Sequence, residues 1–376
     1  RTIKGISETT EQVFGERLHT YTIVNAIADK NVLPFRYEYV GRIDMATGIT
    51  DEKVYNIDEE KIFDNKIRIS MIAEYIIEHY GIKTKTNESY IYSTLDNVIE
   101  VAKKQDTEEI KSKKNINGFN SIFAVSSIKM AKEYYEEFKK VLALKNSSLK
   151  VALIYSYGVN GEDGVIDENS ESTEALSTDD RTFLDNAIKD YNKMFGTSYD
   201  TSSERFQNYY KDVSLRMKNR EIDILIVANM FLTGFDAKTL NTLWVDKSLK
   251  YHGLIQAFSR TNRILNSVKT YGNIVCFRDL EKRVEEAISL FGDKDAESIV
   301  LLKSFLDYYN GYDENGKHVR GYVELINYLT SRYPVTDLGS IVTQKEKIDF
   351  VKLFGNVLRL TKIISLTLRT RCNNLM

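Results

Sequence analysis

The sequence predicts an α/β chain, with an open, doubly wound parallel sheet followed by an all-helical domain. Three observations predict it. Five short apolar runs, rich in Val and Ile and bounded by Gly, Asp, Asn or Ser, are too brief for free helices and read as buried strands. Stretches of helical periodicity alternate with them, the pattern that builds a parallel sheet covered on both faces. After Phe277 only helical periodicity continues.

The first forty residues mix a helical pattern at Tyr21 to Ala28 with a strand-like run at Phe35 to Val40, which comes after Pro34. Residues 1–64 read as a crossover or linker. Lys66 to His79 has apolar positions at helical spacing, with Gly81 as its stop. Tyr90 to about Lys114 reads as a second helix, whose closing charges from Lys103 to Lys114 form a solvated face. The alternation then begins. Ser121 to Ser126 is a strand, Lys129 to Leu144 a helix, Lys150 to Tyr155 a strand, and Arg205 to Asn219 a helix leading into the strand Ile222 to Ala228. Thr242 to Val245 and Asn273 to Phe277 complete the five. Residues 156–203 are acidic and rich in Ser and Thr, a surface insertion holding one short helix near Arg181 to Phe195. Leu280 to Phe291, Ala296 to Tyr309, Val323 to Leu329 and Lys347 to Leu368 are the helices of the last domain. The expected boundaries are 1–64, 65–278 and 279–376.

With 376 residues, 42% hydrophobic and 28% charged, the chain can bury a sizeable core and hold two domains or more. Its 52 basic residues stand against 54 acidic ones, so contact with a polyanion has to come from a local surface. Two cysteines, Cys276 and Cys372, give neither a disulfide framework nor a metal site, and cytoplasm is the expected compartment. The most apolar late stretch, Val351 to Leu368, is interrupted by Lys352, Arg359 and Lys362, which argues against a membrane span.

Ligands of an open parallel sheet bind at the carboxyl ends of its strands, and the polar residues of interest are expected to cluster there. Ser126 and Ser127 close the first of the five strands and open a helix, so they can hold a phosphate or simply cap that helix. Thr233, Gly234 and Asp236 come after the strand ending at Ala228. Gly permits close backbone approach and the hydroxyl can bond a phosphate, although a plain tight turn fits as well. Gln256, Arg260 and Arg263 are spaced i, i+4 and i+7 on a helix expected from His252 to Leu265, within roughly 60° of one another. Two always charged forks and an amide on one face suit phosphate; the alternative is the wet side of an amphipathic helix. Other signatures fail. The nearest approach to a phosphate-cradling GxxxxGK[ST] loop is Gly311 to Lys317, where His318 replaces the hydroxyl that would bind Mg²⁺, and it reads as an Asn-Gly turn. Glu59 with Lys61 and Glu109 with Lys111 read as surface charge, and His19, His79, His252 and His318 are scattered.

MFLTGFDAKTLNTLWVDKSLKYHGLIQAFSRTNRI, with GFNSIFAVSSIKMAKEYYEEFKK upstream, resembles the second RecA-like motor lobe of the R subunit of type I restriction enzymes, within the superfamily 2 helicases and translocases. In that resemblance Ser121 to Ser127 is similar to motif IV, Thr233 to Asp236 to motif V, and Gln256 to Arg263 to motif VI. Ser259 stands where the pattern QxxGRxxR usually has Gly; VFGERLHTYTI is similar to the stretch after motif III. The likeness covers roughly residues 10–290, and beyond them it rests on chain order alone. It implies a site for ATP and Mg²⁺ shared with a first lobe that carries the P-loop. Arg260 and Arg263 would be fingers on the γ-phosphate, and Gln256 would position the nucleotide or the attacking water. Gly234 and Asp236 would couple nucleotide state to DNA, and Ser126, Ser127 and Thr233 would touch phosphates of the tracked strand. Implied partners are double-stranded DNA, the modification methyltransferase and specificity subunits, and the first lobe and nuclease domain of the same full-length chain. Two alternatives stay open: the lobe of another superfamily 2 DNA remodeller, and a non-catalytic docking scaffold.

Overall fold

Burial on both faces decides which runs become strands. In the computed structural model every residue of Asn120–Val125, Val151–Tyr155, Ile224–Ala228, Leu240–Asp246 and Gly272–Cys276 is buried, as a parallel sheet between helices requires. The structure describes residues 2–3, 6–7, 21–40, 66–104, 106–155, 176–228, 230–291, 301–302, 305–314, 317–334 and 343–372. Expectations for VFGERL, for Glu59 and Lys61, and for the insertion up to residue 175 lie outside them. The chain divides into two compact units, Arg1–Leu301 and Leu302–Met376.

Beyond a short antiparallel pair, Thr2–Ile3 with Ile6–Ser7, the strands that concern the site are, in chain order, β1 (Phe35–Tyr39), β2 (Ser89–Leu95), β3 (Lys111–Asn117), β4 (Asn120–Val125), β5 (Val151–Tyr155), β6 (Ile224–Ala228), β7 (Leu240–Asp246) and β8 (Gly272–Cys276). The helices that concern the site are α1 (Lys66–Lys83), α2 (Ile128–Leu144), α3 (Ser203–Lys218), α4 (Tyr251–Phe258) and α5 (Glu281–Phe291). The main sheet runs β1-β8-β7-β4-β6-β5, with every paired neighbour parallel. This is the expected RecA-like α/β sheet, with one strand more than the five foreseen. The strand-like run expected in the crossover pairs with β8 over its whole length, from Gly272 opposite Phe35 to Cys276 opposite Tyr39. Phe35, fully buried, meets the Phe258 ring edge-on at 5.8 Å, which gives that strand its apolar anchor.

Two further expectations are corrected. The second helix expected at Tyr90 to Lys114 is an antiparallel hairpin, β2 with β3, around the short helix Val98–Lys103. The run Tyr-Ile-Tyr-Ser-Thr favours a pleated strand, and a charge run says little about which element carries it. Gly81 does not stop α1, which continues to Lys83. Gly118 is the residue that joins hairpin to sheet. It lies at φ +60°, and a Cβ there would come within 2.7 Å of Thr86 Cα and 2.9 Å of the Thr84 carbonyl oxygen. Gly118→Ala is expected to cost about 2 kcal/mol or more, from the left-handed backbone and the overlap with main chain, measured by chemical denaturation.

The carboxyl edge is held by buried charge. Arg68 at the start of α1 donates to both oxygens of Asp246, the last residue of β7, at 2.8 and 2.7 Å. It also donates to the Phe277 carbonyl at 2.9 Å, while Tyr134 of α2 and Arg278 reach the same carboxylate at 2.7 and 2.9 Å.

The second unit contains helices Phe305–Asn310, Tyr322–Arg332 and Gln344–Cys372 around a small core of Tyr308, Leu325, Val357 and Leu360. Strands do not stop at Phe277 as expected. Gly311–Glu314 and Lys317–Arg320 pair as an antiparallel hairpin, with Glu314 opposite Lys317; the expected Asn-Gly turn at 315–316 lies outside the described residues. His318 Nδ1 lies 2.7 Å from Asp313 Oδ1 and its Nε2 2.9 Å from Glu324 Oε2. Hydrogen bonds to Asp313 and Glu324 raise the imidazole pKa, and His318 lowers that of Glu324. The cross-link from hairpin to helix is therefore fully present below the ordinary histidine pKa and lost as pH rises through the raised one. On the acid side it is lost as pH falls through the lowered Glu324 value. An NMR titration should place the His318 midpoint above about 6.5, and Glu324→Gln should bring it down.

Candidate functional site

The arginines sit past a helix end. α4 stops at Phe258, because the Ser259 hydroxyl bonds the Ile255 carbonyl at 2.7 Å and the Thr261 amide and hydroxyl both turn back to the Phe258 carbonyl. The helix expected to run to Leu265 is thus shorter, and Gln256, Arg260 and Arg263 do not share one helical face. Gln256 is exposed on α4, and the chain beyond it turns onto the sheet. Thr261 and Asn262 are buried there; Leu33 N–H donates to the Asn262 carbonyl at 2.8 Å. Thr261 also lies so close to Gly272 that a Cβ on that glycine would stand 2.3 Å from its Oγ1.

A loop from another part of the sheet brings the two arginines together. Residues 230–239 lie between the end of β6 and the start of β7 and so pass from the carboxyl edge to the amino edge. Phe231, Leu232, Phe235 and Ala237 are buried, which turns Thr233, Gly234, Asp236 and Lys238 outward. Phe231 stands at φ +63°, rare for an aromatic residue, with its ring 4.7 Å from Phe235 and 5.0 Å from Tyr210. Gly234 adopts φ +65° in open space, the conformation for which glycine is suited. Arg260 Nη1 donates to the Phe235 carbonyl at 2.6 Å and its Nε to the Gln256 carbonyl at 3.1 Å. Arg263 Nε lies 3.3 Å from Asp236 Oδ1, an ion pair too poorly aligned to be a hydrogen bond.

The cluster does not lie where a carboxyl-edge rule places it. Lys269 Nζ donates to the carbonyls of Lys238, at 2.9 Å, and Leu240, at 2.6 Å, and Leu240 opens β7 at the amino edge. Burial pushes the Lys269 amine well below the ordinary lysine range, Asp236 opposes this and Arg263 adds to it, so both side chains are its electrostatic neighbours. Burial, and after it the Asp236 carboxylate, raises the Tyr92 hydroxyl on the amino-edge hairpin. Ser126 and Ser127 come after Val125 at the opposite edge, and Ser127 Oγ accepts the Met130 N–H at 3.2 Å as the cap of α2. A strand length, roughly 17 Å, separates the two groups. The expectation of one cluster at the carboxyl ends is corrected to two, joined by the loop that carries Thr233.

Reasoning from the sequence missed the Phe235 carbonyl, the strained Phe231 and the buried Lys269. A main-chain acceptor leaves no trace in residue type, and the run Asn-Ser-Val-Lys-Thr-Tyr reads as an ordinary polar loop. Among the described residues, no helix is long and apolar enough to cross a membrane.

Residues 117–279, which include Ser126, Ser127, the loop carrying Thr233 to Asp236, both arginines and Lys269, match the family described as type I restriction enzyme subunit R domain 3. The chain is 35% identical over 304 residues to the type I restriction enzyme SauMRSORF196P endonuclease subunit of Staphylococcus aureus (strain MRSA252), covering 80% of this chain and 29% of that one. It is 35% identical over 306 residues, with the same coverage, to the SsaAORF53P endonuclease subunit of Staphylococcus saprophyticus. A solved fragment of an HsdR subunit of a type I restriction enzyme from Vibrio vulnificus YJ016 aligns with 82% of this chain and 42% of its own, at 13% identity and a TM-score of 0.39. The chain thus spans less than a third of the length of these endonuclease subunits, 29% in both cases. On that sequence identity, the chain belongs to the R-subunit family of type I restriction enzymes.

Proposed function

We propose that this chain is the second motor lobe, with the start of the helical domain, of an ATP-dependent DNA translocase within a type I restriction endonuclease. The observation that carries the reading is the loop at 230–239. One loop begins at the edge that holds Ser126 and Ser127 and later binds both arginines, through the Phe235 carbonyl and Asp236. An anion bound by the arginines and a strand held near Thr233 then press on the same short segment, which is what coupling requires. The residues fit ATP as a shared ligand. Arg263 and Asp236 are 42% and 58% exposed, so the guanidinium can exchange a weak partner for phosphate. Bound with Mg²⁺ from the other lobe, ATP supplies the phosphoryl group to be transferred. Arg260 and Arg263 place fixed positive charge against its oxygens, and Gln256 orients nucleotide or water. Ser126, Ser127 and Thr233 hold DNA phosphates; the methyltransferase and specificity subunits, the first lobe and the nuclease domain complete the machine in the cytoplasm. The test is DNA-stimulated ATP hydrolysis by the full-length subunit assembled with its partners, comparing Arg260→Ala and Arg263→Ala with the parent. A large loss at unchanged melting supports the reading, and detectable DNA-stimulated hydrolysis by this chain alone overturns it.

A further inference from the structure

Three rungs join the loop at 235–240 to the segment at 260–269. Arg260 meets the Phe235 carbonyl, Arg263 meets Asp236, and Lys269 meets the carbonyls of Lys238 and Leu240. The first two belong to side chains that, in the proposed motor, must leave their partners for phosphate. The third is different. Lys269 is 1% exposed, and its amine faces two main-chain oxygens with, among the described residues, no carboxylate in hydrogen-bonding contact. Whether protonated or neutral it has at least two N–H groups, one for each carbonyl. The segment carrying it is itself fixed. Asn266 Oδ1 accepts the amides of Val268 and Lys269 at 3.0 and 3.1 Å, and the buried Lys85 donates to the Val268 carbonyl at 2.8 Å from the other side.

We infer that Lys269 is a positioning residue for Arg263 and Asp236, the rung that stays closed while the arginines change partners. A buried lysine is expensive to maintain, and a purely apolar side chain of its length would fill the same space at lower desolvation cost. The amine adds direction: it fixes two carbonyls within a few residues of Asp236, so that the loop returns Asp236 and Phe235 to one place after each cycle. Without it the Lys238 and Leu240 carbonyls lack this donor, and that end of the loop drifts relative to the arginines. A misplacement of about 1 Å costs on the order of a hundredfold in rate.

This role rests on the motor reading, and the experiment separates the two. In the assembled full-length enzyme, Lys269→Met is expected to lower kcat for DNA-stimulated ATP hydrolysis at least tenfold with KM for ATP changed less than threefold. In an Arg263→Ala background the same substitution should cost several-fold less than in the parent, because only Arg260 is then left to misplace. Lys269→Gln, which keeps two N–H donors on a shorter arm, should recover part of the loss, and it replaces the Met variant if that one melts early. Equal losses with and without Arg263, or no loss at all, overturn the positioning role alone. Hydrolysis within a few-fold of parent for both Arg260→Ala and Arg263→Ala overturns the motor reading and this inference with it.

Discussion

Arg263→Ala is expected to lower DNA-stimulated ATP hydrolysis by about a hundredfold or more in the assembled full-length subunit, with thermal melting nearly unchanged. The magnitude comes from where charge appears. An arginine that meets developing negative charge in a water-poor site contributes roughly 10³ to 10⁵ in rate, or about 4 to 7 kcal/mol of barrier. Arg260 remains in the single variant and covers part of the deficit, which makes a hundredfold the lower bound. Stability behaves differently, because the Arg263–Asp236 pair is about half exposed on both sides and such pairs contribute about 0–1 kcal/mol. Activity and fold therefore separate cleanly at this position. They separate less cleanly at Arg260, whose removal leaves the Phe235 carbonyl without its 2.6 Å donor at a cost of about 1 kcal/mol. Arg260→Ala should show a comparable loss of rate together with a small fall in melting temperature. Hydrolysis within a few-fold of the parent, for both variants, sinks the arginine assignment and leaves the lobe as a docking scaffold.

The sheet was legible because burial on both faces writes itself into sequence as unbroken apolar runs. Ile224–Ala228 and Gly272–Cys276 show it best. Phe35–Tyr39 was harder, since it is half-buried and carries Arg36 and Glu38, so its pattern suggests a strand without saying which sheet receives it. The hairpin was misread for a related reason. Ser89–Leu95 alternates only loosely, and it is committed by a partner strand and by Gly118, neither of which periodicity reports. At the site, residue types were readable and their arrangement was not. A helix of period 3.6 puts Gln256, Arg260 and Arg263 on one face, but Ser259 and Thr261 divert the backbone onto Phe35 and Gly272 before the face is complete. The pairing of Asp236 with Arg263 depends on a loop that crosses from one edge of the sheet to the other. The parallel direction of β6 and β7 sets that crossing, and strand order carries it past β4, which lies between the two strands the loop joins.

Asp246→Ala is expected to destabilise the first unit by about 3 to 5 kcal/mol, well beyond the effect of losing an exposed ion pair. Asp246 is fully buried and accepts from Arg68, Tyr134 and Arg278. Burial by itself would raise its carboxyl pKa, but the hydrogen bonds and charge of Arg68, then Arg278 and Tyr134, hold it below the usual carboxylate range. Removing the carboxylate takes both Asp246 hydrogen bonds from the Arg68 guanidinium, itself 3% exposed, while the Phe277 carbonyl and the Tyr134 hydroxyl stay beside it and Arg278 faces it across the gap. A buried cation that has lost its carboxylate is the costly outcome. Against a typical total of about 5 to 15 kcal/mol, the loss is enough to unfold a marginal domain. The sign with pH is fixed by the lowered pKa: the contribution is complete above the unfolded carboxyl value near 3.9 and is lost as pH falls through the folded one. Denaturation at pH 7 should therefore show the full difference between parent and variant, and denaturation near pH 2 a smaller one. Replacing both partners, Arg68→Met with Asp246→Leu, should cost less than Asp246→Ala alone, since no unpaired buried charge then remains at α1. A double variant less stable than the single one would mean that the network contributes attraction beyond its own desolvation, and that the carboxyl edge is held by charge where apolar packing could not replace it.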